Sequence, residues 1–106
     1  METTEKIKRI ISGILSLRGI KVDKIILFGS RAGGKNSKSS DYDILVIVEE
    51  TISPAVKMEL CSEIRQKSAA EKIDVDVLIK STQEAEIYRT YIGTVVREAL
   101  KEGVAL

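Results

Sequence analysis

The sequence predicts a small α/β (α+β) domain in which helices cover a mixed β-sheet. Three observations lead to this fold class: apolar runs typical of buried strands, stretches with apolar residues at helical spacing, and turn residues between them. The predicted element order is α-β-β-α-β-α, and no internal repeat, low-complexity tract or linker divides the 106 residues. We therefore expect a single domain over residues 1–106.

The first half of the chain is predicted to form one helix and two strands. Apolar residues at helical spacing predict an amphipathic helix over residues 4–18, which Gly19 ends. Residues 22–28 are predicted to form a strand, and a polar loop follows at 29–40. Residues 41–48 form the second predicted strand, whose unbroken apolar run indicates burial on both faces.

The second half is predicted to form a helix, a strand and a last helix. Ser53 as the cap and Pro54 at the first helical position start a helix that runs to about Ala70. Residues 72–80 form the third predicted strand, and residues 81–84 form a capping box for a helix that ends near Gly103. The last helix is predicted to bury Tyr88, Ile92, Val95, Val96 and Ala99.

Composition excludes several classes of function. The chain has no histidine and one cysteine, which excludes Ser-His and Cys-His nucleophiles and an intramolecular disulfide, and argues against zinc. A net charge of +1 predicts no broad basic surface, so we expect no direct nucleic-acid binding. No apolar stretch is long enough for a membrane span, and the N-terminus is unlike a signal peptide, so we expect a cytoplasmic protein without membrane contact.

The residues that carry chemistry lie between the first two strands. Gly29-Ser30 is followed, after ten residues, by Asp41-Tyr42-Asp43. Alternation along a strand places Asp41 and Asp43 on one face, roughly 7 Å apart, where two carboxylates can share hard divalent cations. Gly29 lets the backbone approach a ligand, and amides at such a turn can bind phosphate. An ordinary loop would contain similar residues, but Asp43 lies within a run predicted to be buried and therefore needs a compensating cation.

A third acid is expected in the strand at residues 72–80. Asp74 and Asp76 both point to the face opposite Val75 and Val77, so alternation alone does not choose between them.

The Gly29-Ser30 and Asp41-Tyr42-Asp43 string resembles the signature of the DNA polymerase β-like nucleotidyltransferases. The chain is most similar to their minimal members, which are often encoded beside a HEPN-domain ribonuclease. The resemblance covers residues 29–48, then 73–79 as the strand of the third acid, and 93–106 loosely. The family's Val-Asp-Val pattern favours Asp76 over Asp74. The chain departs from the family at Gly33, where an arginine is usual, and Lys35 or Lys38 can supply that charge.

The resemblance implies Mg²⁺-dependent transfer of a nucleoside monophosphate, AMP from ATP, to a hydroxyl acceptor. The catalytic acids, which would also hold two Mg²⁺ ions, are Asp41, Asp43 and Asp76. The nucleotide-binding residues are Gly29, Ser30 and Arg31. Because larger relatives add a domain that grips the acceptor, we expect a partner protein to supply it here.

The implied partner is a HEPN ribonuclease toxin modified on a tyrosine, with this domain as its antitoxin. The alternative is a non-catalytic binding module that neutralises a partner by complex formation. The sequence leaves open whether the domain forms homo-oligomers.

Overall fold

The computed structural model describes residues 2–29, 31–32, 41–91 and 94–106. Along these residues the elements are α1 (Thr3–Leu17), β1 (Val22–Phe28), β2 (Tyr42–Val48), α2 (Pro54–Ala70), β3 (Val75–Ser81), α3 (Thr82–Tyr88), α4 (Val95–Glu102) and β4 (Val104–Ala105). The strands form one sheet in the order β3-β2-β1-β4. Since β2 pairs antiparallel with β1 and parallel with β3, the predicted mixed sheet covered by helices is confirmed.

The central strand β2 explains the unbroken apolar run in the sequence. Its residues from Ile44 to Val48 are all at most 3% exposed, because helices cover both faces of the sheet. On one face Ile44 and Val46 pack with the apolar residues of α1 and α2. On the other face Leu45 packs with α3 and α4. Burying a side chain of this size stabilises the fold by about 1.5–3 kcal/mol, so this strand anchors the sheet.

The predicted last helix is wrong as a single element, because the chain forms two helices there. The Thr94 hydroxyl accepts a hydrogen bond from the Arg97 amide at 3.2 Å and donates one to the Tyr91 carbonyl, which starts α4 afresh. In the new orientation Val95 is 58% exposed, against the prediction, whereas Val96 and Ala99 are buried as expected. Ile92, also predicted inward, lies outside the described residues.

Strand β4 was absent from the predicted order. It has only two residues, Val104 and Ala105, and forms by pairing with Leu27 and Ile26 of β1. Gly103 makes the return possible, because a Cβ there would collide with the Ile26 side chain and the Ala99 carbonyl. A strand this short is set by a partner distant in sequence, which local patterns do not contain.

Two helix starts follow the sequence closely. The Ser53 hydroxyl accepts from the Val56 amide at 3.3 Å, with Pro54 at the first helical position. At α3 the capping box is complete: the Glu84 amide donates to the Ser81 hydroxyl at 3.0 Å, and the Ser81 amide donates to the Glu84 carboxylate at 2.9 Å. Lys57 of α2 also donates to Glu84 at 2.9 Å, which ties α2 to the start of α3.

No helix in the described part of the chain is both long enough and apolar enough to cross a membrane.

The Glu84 contacts predict a pH-dependent contribution to stability. Burial raises the pKa of Glu84, but hydrogen bonds from Ser81 and Lys57 outweigh it and hold the pKa below its ordinary value. The stabilisation is therefore present above the unfolded pKa of about 4.3 and is lost as the pH falls through the lowered folded-state pKa. We expect Glu84→Gln to lower the free energy of unfolding by about 1 kcal/mol at neutral pH, measured by urea denaturation.

The control is Glu86→Gln on the same helix, whose ion pair with Arg89 is exposed and 3.6 Å long. That variant should stay within about 0.5 kcal/mol of the parent. A Glu84→Gln loss as large in acid as at neutral pH would contradict the assignment.

Candidate functional site

Two neighbouring strands bring the predicted acids to one end of the sheet. Asp43 on β2 and Asp76 on β3 are direct partners in the parallel pairing. Asp41 immediately precedes β2, and the neighbouring Tyr42 amide donates to the Asp74 carbonyl at 2.9 Å, which fixes the start of the pairing. The register therefore places the Asp43 and Asp76 carboxylates on neighbouring strands at the same level.

Asp43 is the electrostatic centre of this group. Burial, followed by the negative charges of Asp76 and Asp41, raises the pKa of the Asp43 carboxyl. Asp43 is half-buried, whereas Asp41 and Asp76 are exposed. The repulsion between like charges is offset when a cation binds between them, because the cation favours the ionised carboxylates.

The donor chemistry of this group fits Mg²⁺, which prefers carboxylate oxygens. Among the described residues, no three His, Cys, Asp or Glu side chains are already grouped tightly enough to hold a metal ion. The fit therefore rests on the oxygen donors of these side chains and on the register that sets Asp43 opposite Asp76, with Asp41 just before β2.

The structure distinguishes the surroundings of Asp76 from those of Asp74. The negative charge of the Asp76 carboxylate contributes to the raised pKa of Asp43. Asp74 instead contributes its backbone carbonyl to the strand pairing. Asp76 also lies 3.8 Å from the Arg65 guanidinium of α2, in an ion pair that is exposed on both sides. Such an exposed pair is weak and can exchange for another partner.

Gly29 lies directly against Asp43. It follows Phe28, which pairs with Asp43 across the sheet, and its φ of +75° is in the left-handed region. A Cβ on Gly29 would collide with the Asp43 carboxylate, whose carbon would lie only 3.2 Å away. Only glycine allows this approach of the β1 end to the acid.

Arg31 contacts Tyr42, whereas Gly29 of the same turn lies against Asp43. Its guanidinium lies over the Tyr42 ring, 4.2 Å from the ring centre. Alternation along β2 puts Tyr42 on the face opposite Asp43, so Arg31 is held on that opposite face. The nucleotide-binding role of Arg31 stays a prediction. Ser30, the second predicted phosphate contact, lies outside the described residues, as do Gly33, Lys35 and Lys38.

Two cavities flank the acids. One of about 410 Å³ opens at Gly29, and its lining includes Thr94, Val95, Glu98 and Glu102. The other, of about 480 Å³, lies between α2 and the start of β3, and its lining includes Asp41, Arg65, Gln66, Asp74 and Asp76.

Sequence reasoning missed the contributions of α2 and α4 to these cavities. The spacing of Glu98 and Glu102 puts them on one side of a helix, but nothing local indicates that this side faces Gly29. Arg65 likewise reads as a solvated charge until α2 packs along β3 and brings it to Asp76.

Comparison with known proteins identifies a family for this chain. The family described as "Polymerase beta, Nucleotidyltransferase" matches residues 5–102. A putative protein adenylyltransferase of Methanocaldococcus jannaschii is 42% identical over 50 residues, which are 47% of this chain and 50% of that protein. The chain therefore spans about half the length of this curated relative.

Solved structures share the fold at lower identity. A toxin–antitoxin crystal structure with AMP-PNP has a TM-score of 0.61 and 24% identity, covering 92% of this chain and 69% of that one. A mutant of the toxin–antitoxin pair MntA-HpeT has a TM-score of 0.60 and 24% identity, covering 93% and 70%.

The crowding at Asp43 predicts a stability change opposite to that of most substitutions. Because the folded-state pKa of Asp43 is raised, its ionised form weakens the metal-free fold, and stability is regained as the pH falls through that pKa. Asp43→Asn should therefore be as stable as the parent or more stable at neutral pH, by less than about 1 kcal/mol after solvent screening.

The measurement is urea denaturation in EDTA, repeated in acid, where the difference should vanish because both side chains are neutral. Asp23→Asn, an exposed position on β1, is the control and should change stability by less than about 0.5 kcal/mol. A strongly destabilised Asp43→Asn would mean instead that the fold requires this carboxylate.

Proposed function

The chain belongs to the polymerase beta nucleotidyltransferase family, and on this basis we propose that it transfers AMP from ATP to a hydroxyl group of a partner protein. In the reaction the acceptor oxygen bonds to the α-phosphorus, the bond to the bridging oxygen breaks, and pyrophosphate leaves. The observation that carries the proposal is the strand register that sets Asp43 opposite Asp76, with Asp41 just before β2 and Gly29 directly against Asp43.

The three carboxylates are proposed to hold Mg²⁺, with two ions expected. When bound, Mg²⁺ would offset charge on the triphosphate and stabilise the attacking and leaving oxygens of an in-line displacement. The repulsion that Asp41 and Asp76 impose on Asp43 would then become attraction to the ions.

The chain's own residues divide into a nucleotide side and an acceptor side. Gly29 leaves room for phosphate against the end of β1, and Ser30 and Arg31 are proposed to add contacts there. On the other side the exposed Asp76 opens into the 480 Å³ cavity, where its carboxylate can take the proton of an acceptor hydroxyl. Arg65 pairs with Asp76 when no acceptor is bound, and it would be displaced as the acceptor enters.

We propose a HEPN ribonuclease as the partner, a tyrosine as the acceptor, and an antitoxin role for the chain. The relative from Methanocaldococcus jannaschii, named as a putative protein adenylyltransferase, supports a protein acceptor. The resemblance of residues 29–48 to the minimal nucleotidyltransferases supports the HEPN partner.

The second candidate function is a binding module that neutralises the partner without chemistry. The observation that favours it is the stacking of Arg31 on Tyr42, on the opposite face of the sheet from Asp43. In that case the carboxylates would be dispensable for suppressing the partner.

A pair of variants separates the two functions. If Asp76 activates the acceptor, Asp76→Asn should lower transfer by about three orders of magnitude or more, with ATP-Mg²⁺ binding weakened only modestly. Asp74→Asn, the matched control two residues away, should lose about 10–100-fold at most.

Both variants are assayed with labelled ATP, Mg²⁺ and the proposed HEPN partner, and toxicity is scored in parallel. If Asp74 is the essential acid, the third carboxylate is misassigned. If both variants fail to transfer AMP yet still suppress toxicity, the binding module is the correct function.

Metal dependence gives an independent test that needs no partner. ATP should raise the melting temperature only with Mg²⁺ or Mn²⁺ present, because a ligand that binds the folded state alone stabilises it. Asp43→Asn should lose this rise, and Asp74→Asn should keep it. A rise of equal size in EDTA would contradict a role for the metal in nucleotide binding.

A further inference from the structure

A third cavity, of about 420 Å³, lies on the α4 side of the sheet, the face to which Asp43 also points, but nearer the start of β1 than Gly29 is. Its walls carry four cationic side chains, and apolar residues form its floor. The lining residues, here called the basic groove, are Lys24, Ile26, Arg89, Arg97, Leu100 and Lys101.

The positive charge of the basic groove is largely uncompensated. Arg89 pairs with Glu86 at 3.6 Å, in a contact exposed on both sides. Within the described ranges, no ion pair involves Lys24, Arg97 or Lys101. In a chain whose net charge is only +1, four cations around one cavity are a marked local concentration. Opposed charge on a ligand is the simplest way to relieve it.

Helix α4 separates its charges by side. Arg97 and Lys101 are one turn apart and face the basic groove, whereas Glu98 and Glu102 line the cavity at Gly29. Like charges four residues apart weaken a helix. An anionic ligand in the basic groove would offset this repulsion by attracting both Arg97 and Lys101.

The lining also indicates the chemistry of that ligand. Phosphate groups are commonly held by free backbone amides at turns and helix starts. Here Ile26 lies on a strand paired on both sides, the Arg97 amide already donates to the Thr94 hydroxyl, and Arg89 lies at the end of α3 rather than at a helix start. Recognition therefore comes from side chains. The cations can pair with any anionic group, but the buried Ile26 and the half-buried Leu100 favour a ligand that carries an apolar residue between its charges, as an acidic polypeptide does.

We propose that the basic groove binds an acidic segment of a partner polypeptide in which an apolar residue lies between carboxylates. Arg97 and Lys101 would pair with the carboxylates on one side and Lys24 and Arg89 on the other. The apolar residue would cover Ile26 and Leu100.

The basic groove is separate from the catalytic end. Lys24 precedes Gly29 by five residues on β1, a distance of roughly 16 Å along the strand. The segment therefore binds beside the active site rather than in it, and the proposal does not depend on catalysis.

The test uses three fluorescein-labelled probes in anisotropy titrations with the full chain at low salt. They are a peptide of alternating glutamate and leucine, the same peptide with serine for leucine, and an oligouridylate of equal charge. We expect the glutamate–leucine peptide to bind about tenfold more tightly than either other probe. The charge reversal Arg97→Glu with Lys101→Glu should weaken that peptide by about tenfold or more.

The matched control is Lys8→Glu with Arg9→Glu, two exposed positions on α1 with the same change in charge. It should leave the affinity within about twofold. Circular dichroism checks folding, and Arg97→Gln with Lys101→Gln replaces the reversal if that variant is unfolded.

Three outcomes would overturn the proposal. If the Lys8 and Arg9 control weakened peptide binding as much as the Arg97 and Lys101 reversal, the effect would come from overall charge and not from the basic groove. Tighter binding of the oligouridylate would mean a site for a phosphate backbone. Equal affinity for the serine peptide would remove the role of Ile26 and Leu100.

Discussion

The parallel pairing of β2 with β3 is the constraint on which the site depends. It sets Asp43 opposite Asp76, and the antiparallel pairing of β1 with β2 sets Gly29 against the same Asp43. A slip of one residue in either pairing would turn Asp43 to the other face of the sheet. Burial of β2 on both faces weakens the usual penalty for such a slip. The boundary between the polar end of β2 and its apolar run, fixed at Asp43 and Ile44, therefore has to hold the register.

The same pairing concentrates negative charge where the metal-free fold gains nothing from it. Asp43 is half-buried beside two other carboxylates, and Gly29 is held in a conformation that other residues rarely adopt. Sites of this kind persist when the surrounding structure is stable enough to impose them. Here the fully buried residues of α1, α2 and β2, together with the capping of α2 and α3, supply that stability.

Prediction from sequence succeeded where the determining interactions are local. The bounds of α1, β1, β2 and α2 agree with the structure to within one residue, because amphipathic spacing, Gly19 and the Ser53-Pro54 start are local signals. The start of β3 was predicted three residues too early, because Ile73 and Asp74 continue the alternation without joining the strand. The split of the last helix was missed because Thr94 is followed at the third position by Arg97, so no capping box marks the new start.

The parts of the site that depend on packing could not be derived in this way. Asp41, Asp43 and Gly29 lie in one recognisable string. Alternation left Asp74 and Asp76 open as the third acid, and only the family's Val-Asp-Val pattern favoured Asp76. By contrast, the stacking of Arg31 on Tyr42 and the approach of α4 to Gly29 are contacts between distant segments. Net charge does not reveal local clusters for a related reason: a value of +1 averages over the chain, whereas the fold gathers Lys24, Arg89, Arg97 and Lys101 around one cavity.

Helix α4 lies between the Gly29 cavity and the basic groove, because its two sides line these two cavities. Its last turn packs on β1 through Gly103, where a side chain would strike Ile26. A segment bound in the basic groove would hold α4 against β1 from one side while Glu98 and Glu102 face the Gly29 cavity from the other. Binding of the segment would change nucleotide binding only if α4 could occupy two positions on β1 and the segment bound one of them more tightly. The close contact at Gly103 leaves α4 little freedom on β1, so the basic groove is better suited to localising a partner than to switching the active site.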